Sequence, residues 1–421
     1  MRRGLAAHML TSLVLTAVVL GSGGCTAKPA SHAPATVRIT SPADGTTGVA
    51  ASVEIAYTTT SGGEVTMRLV DPAGQVVAGA PRTDASAWVP AAALAYATKY
   101  TATVTVAASG TTASATSTFT TMDKPANQVD VHSWIGDDQV VGVAAPLVVT
   151  FGKPVPDSRR AAVERRLFVH SEPTQPGIWN WFSATEVHYR PREHWRPGTK
   201  LDLRVGTGGL PWGGDWYGRH DLTVRASVGP ELLIVVDNAT KQMTVTQNGT
   251  LLRTIPVSLG KPSTPSSSGN LVVMTKSEWE WFDSSTYGVP ADSPDGFRTK
   301  VFWPMRLTWG GEYIHAAPWS VDDQGHRNVS HGCVNISAEA AQWLWGLAHV
   351  GDPVTVRGTE HRLDWGNGWT DWDRPWEEYV RGSAVPAQPM SQLGPTALGG
   401  GADVATVGGS TLTLALRPIV W

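Results

Sequence analysis

The run Tyr100-Thr101-Ala102-Thr103-Val104-Thr105-Val106 sets an aromatic or small apolar residue against threonine at every second position. Successive side chains of an extended strand point to opposite faces, so this alternation predicts a strand with one face on a core and the other in water. Only 16% of the residues are charged, and 44 glycines and 29 prolines are spread along the 421 residues, which favours turn-rich β structure over long helices. A chain of this length also exceeds what one hydrophobic core serves, so several modules are expected.

Working outward, Val37-Arg38-Ile39-Thr40 and the turn Pro42-Ala43-Asp44-Gly45 open a first module over residues 36–121. A second, over 122–228, repeats part of its logic. Thr98-Lys99-Tyr100 leads into a strand in one, and Thr199-Lys200-Leu201-Asp202-Leu203-Arg204-Val205 in the other. Two immunoglobulin-like β-sandwiches are the natural solution, with a brief helix around residues 158–166 of the second. Arg159, Arg160, Arg165 and Arg166 read there as a solvated helix face. With a formal net charge of −3 and no other dense basic cluster, nothing marks a nucleic-acid partner. Neither sandwich carries a chemical constellation, and both read as spacers.

A third module, over 229–358, begins with Leu232-Leu233-Ile234-Val235-Val236, a turn at Asp237-Asn238-Ala239, a strand through Val245 and the hairpin signal Asn248-Gly249. Lys261 to Asn270 reads as a loop. Ser337 is the expected N-cap of one main helix, from about Ala338 to Ala348. Residues 359–381 hold Trp365, Trp369, Trp372, Trp376 and Tyr379, expected to pack as a small subdomain on this third module. Residues 382–421 are nearly uncharged and read as a flexible tail, with a strand signal at Leu412 to Leu416.

Arg2 and Arg3, an apolar run from Met9 to Leu20, and Gly21-Ser22-Gly23-Gly24-Cys25 read as an export signal over residues 1–25. The apolar run is short for a membrane span. Cys25 follows small residues, as the acylated cysteine of a bacterial lipoprotein does, although Ser22 stands where an aliphatic residue is usual. Lipidation at Cys25 is the expectation, and simple cleavage is the alternative. Residues 26–35 would then be a tether. Placement is accordingly outside the cytoplasmic membrane, in the cell-wall space.

The chain has two cysteines, and with one in the export signal Cys333 has no disulfide partner. A lone thiol in an oxidising compartment is a liability unless it is buried or chemically needed. It lies in Ser330-His331-Gly332-Cys333-Val334-Asn335, downstream of Tyr313-Ile314-His315-Ala316-Ala317-Pro318-Trp319-Ser320. A nucleophilic cysteine needs a neighbour to accept its proton, and histidine titrates in the right range. His315, at a strand end, could face the thiol across a sheet. His331 is only two residues away along the chain.

This Ser-His-Gly-Cys-x-Asn run, paired with a distant histidine, strongly resembles the L,D-transpeptidases that cross-link peptidoglycan, over roughly residues 231–378. The two preceding sandwiches are similar to those of multi-domain mycobacterial and actinobacterial members. The resemblance implies Cys333 as nucleophile, His315 as base, and the backbone carbonyl of Ala316 as the group orienting the imidazole. It implies that Ser330, His331, Gly332 and Asn335 shape the site beside substrate, with backbone amides near Cys333 as an oxyanion hole. Tyr287 and Phe297 fall in a segment resembling the flap over the pocket, Phe297 where relatives carry tyrosine, and Trp319 reads equally as a pocket wall or as packing.

The implied partners are tetrapeptide stems as donor and acceptor, the implied product is a 3-3 cross-link formed through a thioester, and no metal or organic cofactor is required. Carbapenems are implied as acylating agents. Water in place of the acceptor amine would make the same site an L,D-carboxypeptidase. A zinc site from His315, His326, His331 and Cys333 is disfavoured by the closeness of the last two. A sortase would need an arginine partner that nothing supplies. A non-catalytic wall-binding protein is the remaining class.

Overall fold

The computed structural model describes residues 34–59, 63–82, 85–108, 110–287, 290–293, 296–385 and 405–407, with the side chains of 286–287 and 405–407 left aside. The export signal, Cys25 and most of the tether lie outside the described residues, as does the strand signal at Leu412 to Leu416. The fold is mainly β, with immunoglobulin-like sandwiches followed by a β-rich domain.

In the first sandwich, one sheet runs Val37–Ser41, Ile55–Thr59, Ala87–Pro90, Gly79–Pro81. The other centres on Lys99–Ala108 between Glu64–Val70 and Thr111–Thr120. Tyr100, Ala102, Val104 and Val106 are all buried while the threonines between them are half-buried, as the alternation requires. Ala405–Val407, in the tail expected to be flexible, pairs antiparallel with Val65–Met67. The second sandwich closes over Trp179, Tyr189 and Trp195. Its helix is Asp157–Glu164.

In the arginine cluster beside that helix, Arg159 and Arg165 are exposed as a solvated face requires, and Arg166 departs from expectation. Arg166 is buried rather than solvated, its Nη1 donating at 2.7 Å to Glu54 of the first sandwich, while Arg82 Nη2 donates to the Arg165 carbonyl at 3.1 Å. A buried cation needs a partner, and the two sandwiches supply it to each other.

In the third domain a six-stranded sheet has the order Thr250–Pro256, Gln242–Gln247, Leu232–Asp237, Pro353–Arg357, Ser267–Val272, His361–Arg362. Asn248 and Gly249 both take positive φ (49° and 77°), the hairpin geometry that this dipeptide signals. Part of the expected 261–270 loop is strand instead, because Gly269 to Val272 pair with Pro353–Val356. A second sheet places Thr275–Lys276, Met305–Arg306, Tyr313–Ala316 and Val334–Ile336 side by side. The helix Ala338–Leu347 is N-capped by Ser337, whose side chain accepts from Ala340 N at 3.2 Å, and its buried face of Ala340, Ala341 and Leu344 joins the core.

The tryptophan-rich segment does not simply pack on the third domain; it wedges between that domain and the second sandwich. Trp369 joins Ala144 and Val148 on one side to Val272 and Met274 on the other. Trp372 Nε1 donates to the Ala144 carbonyl at 2.8 Å, and Arg190 lies 4.2 Å from the Tyr379 ring and 4.4 Å from that of Trp372. At the centre, His188 sits between Glu186 (Nε2, 2.8 Å) and Asp371 (Nδ1, 3.0 Å), with Tyr379 Oη donating to Asp371 at 2.8 Å. Ser383 and Ala384 then bind Glu164 of the second sandwich.

Burial works to lower the His188 pKa, but the flanking carboxylates, Asp371 foremost, outweigh it and raise the imidazole to about 9. A raised folded-state pKa adds stability below the unfolded value near 6.5 that is lost as pH climbs through about 9. The melting temperature of the purified protein should therefore fall between about pH 6.5 and 9. Asp371→Asn should flatten that slope, leaving only what Glu186 contributes, and a slope of unchanged size would contradict the assignment.

Candidate active site

The site is built on a parallel strand pair. Tyr313–Ala316 runs beside Val334–Ile336 in the register Ile314↔Val334, His315↔Asn335, Ala316↔Ile336. Cys333, one residue before the second strand, and His315 thereby line one cleft of about 620 Å³. Phe297, Trp319, Ser330, His331 and Asn335 line it too. Gly332 is in the loop beneath, and the side chain of Tyr287 lies outside the described residues.

His315 is buried, and its Nδ1 lies 2.9 Å from the carbonyl oxygen of Ala316. A carbonyl only accepts, so Nδ1 carries the proton and Nε2 is left with a lone pair. Burial pushes the imidazole down to about 4, against the opposing pull of that carbonyl. Burial likewise pushes the Cys333 thiol up to about 12; the Tyr313 backbone N–H opposes the rise and the Glu312 carboxylate adds to it. The resting pair is thus neutral thiol and neutral imidazole, with Sγ donating to the Gly311 carbonyl at 3.6 Å.

A chain of short hydrogen bonds fixes the loop that carries the cysteine. Ser330 Oγ accepts from Gly332 N (3.1 Å) and donates to the Cys333 carbonyl (2.6 Å). Ser266 Oγ donates to the Gly332 carbonyl (2.6 Å) and accepts from Gly260 N (2.9 Å). Gly332 has φ of +123°, a conformation that side-chain-bearing residues rarely adopt. Asn335 Nδ2 donates to Ser320 Oγ at 3.1 Å, while its buried Oδ1 has no hydrogen-bond partner among the described residues. His331, at the exposed rim, accepts from or donates to Lys261 Nζ at 3.2 Å through Nε2; as an ammonium only donates, Nε2 is the acceptor.

Trp319 is 59% exposed with its ring 6.0 Å from that of His315, which makes it cleft wall rather than core packing. Phe297 stands 5.3 Å from the His331 ring. Sequence reasoning passed over Phe282, Thr299 and Val301, which line the cleft from the hairpin Trp279–Asp283/Arg298–Phe302. For Thr299 and Val301 the available signal was the alternation Arg298-Thr299-Lys300-Val301, which sets them on the face opposite the two cations. Ser266 and Glu312 carried none, since only tertiary folding brings them to the cysteine loop. Among the described residues, no group of three or more His, Cys, Asp or Glu is placed to hold a metal ion.

Two outcomes check this geometry. Alkylation of Cys333 by iodoacetamide should be slow at pH 7 and climb steadily above pH 9; a fast plateau from pH 5 upward would instead reveal a resting thiolate–imidazolium pair. Gly332→Ala forces an alanine into the left-handed region at a cost of about 1–2 kcal/mol. It should lower both the melting temperature and the alkylation rate at pH 9, the latter read by intact mass.

Comparison with known proteins agrees with this architecture. Residues 231–356 match the model of the L,D-transpeptidase catalytic domain, and residues 46–211 match a bacterial Ig domain. The chain is 34% identical to L,D-transpeptidase 2 of Mycobacterium tuberculosis over 396 residues, covering 89% of this chain and 95% of that one. It is 39% identical to L,D-transpeptidase 1 of the same species over 219 residues, 52% of this chain and 81% of the other. A solved structure of an L,D-transpeptidase in complex with imipenem is 37% identical and covers 55% of this chain and 100% of that chain, with a TM-score of 0.47. By the near-full-length match and the catalytic-domain model together, this chain belongs to the L,D-transpeptidase family.

Proposed function

We propose that the chain forms 3-3 cross-links between peptidoglycan stem peptides through a thioester on Cys333, with His315 as its base. The observation that carries this reading is the 2.9 Å contact from His315 Nδ1 to the Ala316 carbonyl, which leaves Nε2 as a proton acceptor in the cleft that Cys333 lines. Because thiol and imidazole are both neutral at rest, the Cys333 proton moves to Nε2 as Sγ attacks the carbonyl carbon of the third stem residue. The oxyanion that forms is met by the Cys333 backbone N–H; the Gly332 N–H is already given to Ser330 Oγ. Collapse breaks the C–N bond, Nε2–H protonates the departing D-alanine amine, and a thioester remains.

An acceptor amine then attacks the thioester, gives up its proton to Nε2, and the new amide forms as the Cys333 thiolate leaves and is reprotonated. Water attacking by the same route gives the L,D-carboxypeptidase. Phe297, Trp319 and His331 bound the donor strand of peptide. In this reading the sandwiches and a lipid on Cys25 hold the catalytic domain in the cell-wall space outside the membrane, and carbapenems acylate the same thiol.

Intact-mass analysis tests the proposal. Wild type mixed with a tetrapeptide muropeptide should yield cross-linked dimer with loss of D-alanine, and with a carbapenem a covalent adduct on Cys333. Cys333→Ala should give neither. His315→Gln should slow acylation by at least about a hundredfold, the range expected on losing a general base. A wild-type protein that is never acylated would sink the proposal in favour of an inert wall-binding role, while tripeptide without dimer would identify the carboxypeptidase.

A further inference from the structure

Glu312 takes no part in the acyl transfer described above, yet it stands between the two peptide groups that hold the nucleophile. On one side of it the Gly311 carbonyl accepts from Cys333 Sγ at 3.6 Å, and on the other the Tyr313 backbone N–H stabilises the sulfur. The far ends of the same two peptide groups are tied to the preceding turn: Glu312 N donates to Thr308 Oγ1 at 3.0 Å, and the Glu312 carbonyl accepts from Leu307 N at 2.9 Å. Each peptide plane is anchored at one end and meets the sulfur at the other.

The Glu312 side chain supplies a third anchor. Its Oε1 accepts from Ser267 N at 3.0 Å and from Ser267 Oγ at 2.9 Å, and Ser267 is a buried residue of the six-stranded sheet. The residue before it, Ser266, is the one whose Oγ holds the Gly332 carbonyl. One dipeptide of the neighbouring sheet thus grips both residues that lead into the parallel pair, Glu312 before Tyr313 and Gly332 before Cys333. The two gripped residues touch: a Cβ placed on Gly332 would stand 3.6 Å from Glu312 Cγ and 3.8 Å from its Oε1.

We propose that Glu312 is a positioning residue for the nucleophile, its carboxylate fixing through Ser267 the two peptide groups that cradle the Cys333 sulfur and setting a negative charge beside the thiol. This rests on the reading of Cys333 as nucleophile and adds the group that aims it. The tether needs only a hydrogen-bond acceptor, whereas the charge opposes ionisation of the thiol on top of burial. Burial pushes the Glu312 carboxyl up as well, against the pull of its hydrogen bonds from Ser267 and of His361 on the strand beside that serine. The other titratable groups about the thiol are His315, His331 and Asp323, which line the cleft with it, Tyr313 on the adjacent strand, and Lys261 at the rim. Tether and charge therefore carry separate signatures: losing the first slows attack, and losing the second eases formation of the thiolate.

The test is iodoacetamide alkylation followed against pH, together with carbapenem acylation, both read by intact mass on the purified protein and its variants. Glu312→Gln keeps an acceptor for Ser267 and removes the charge, so it should alkylate several-fold faster than wild type at pH 9. Glu312→Ala loses the tether; its acylation rate at saturating carbapenem should fall about tenfold to a hundredfold, the penalty of a misplaced reacting group, with the half-saturating concentration little changed. Glutamine at the same position should restore most of that rate. Ser267→Ala keeps the charge and weakens the tether, so it should slow acylation without moving the alkylation profile to lower pH, and it stands in for Glu312→Ala if that variant does not fold. Acylation of the tether variants at the wild-type rate, or a Glu312→Gln profile that coincides with wild type, would overturn the proposal, even where the melting temperature falls. Should carbapenem never acylate the wild type, the transpeptidase reading fails, and the alkylation profiles still decide the role of Glu312.

Discussion

The parallel pairing of Tyr313–Ala316 with Val334–Ile336 is the constraint on which the site depends. Parallel neighbours cannot be joined by a tight turn; they need a crossover of a dozen or more residues. Here the crossover is the stretch from Ala317 to Cys333, and it brings Trp319, Ser320, Ser330 and His331 over the cleft. Bridges from Ser258 to Asn335 and from Gly260 to Ser330 tie its return to the neighbouring sheet. The histidine is thus set by the sheet and the cysteine by a loop pinned at the strand's start through Ser330 and Ser266, and the imidazole is aimed by a backbone carbonyl that no substitution of Ala316 removes.

Burial gives this arrangement its electrostatic character. It lowers His315 to about 4 and raises Cys333 to about 12, so charge separation is disfavoured until an electrophile arrives. Elsewhere the molecule uses buried charge in the opposite way. Arg166 against Glu54 joins the two sandwiches, and His188 against Asp371 joins the second sandwich to the segment after the catalytic sheet. Removing one partner of such a pair strands the other in a dry interior, so the domain order is held by contacts costly to break singly.

Strands and turns with local periodicity were legible in the sequence. The Tyr100–Val106 alternation, the Asn248-Gly249 turn and the Ser337 cap each follow from a local rule, and each is found. The motif around Cys333, read by resemblance, brought Ser330, His331, Asn335 and the distant His315 to attention, and with Cys333 they do line one cleft. Illegible was whatever depends on which module meets which. Arg166 reads as solvated until Glu54 arrives from a distant strand, and Trp365 to Tyr379 reads as a local subdomain until the second sandwich packs against it. Ser267 to Asn270 were lost in a Ser- and Gly-rich stretch whose strand character comes from its partners, Thr355 and Val356 on one side and His361 and Arg362 on the other, rather than from its own pattern.

The most direct test of this account is the charge and tautomer of His315 in the resting protein, read by nitrogen-15 NMR of labelled histidine and assigned with a His315→Gln variant. The account predicts a neutral ring at pH 7, protonated at Nδ1 and bare at Nε2, that takes up its second proton only near pH 4. An imidazolium at pH 7 that reverts to neutral on Cys333→Ala would contradict it, because it would mean that the thiolate is already formed before substrate binds.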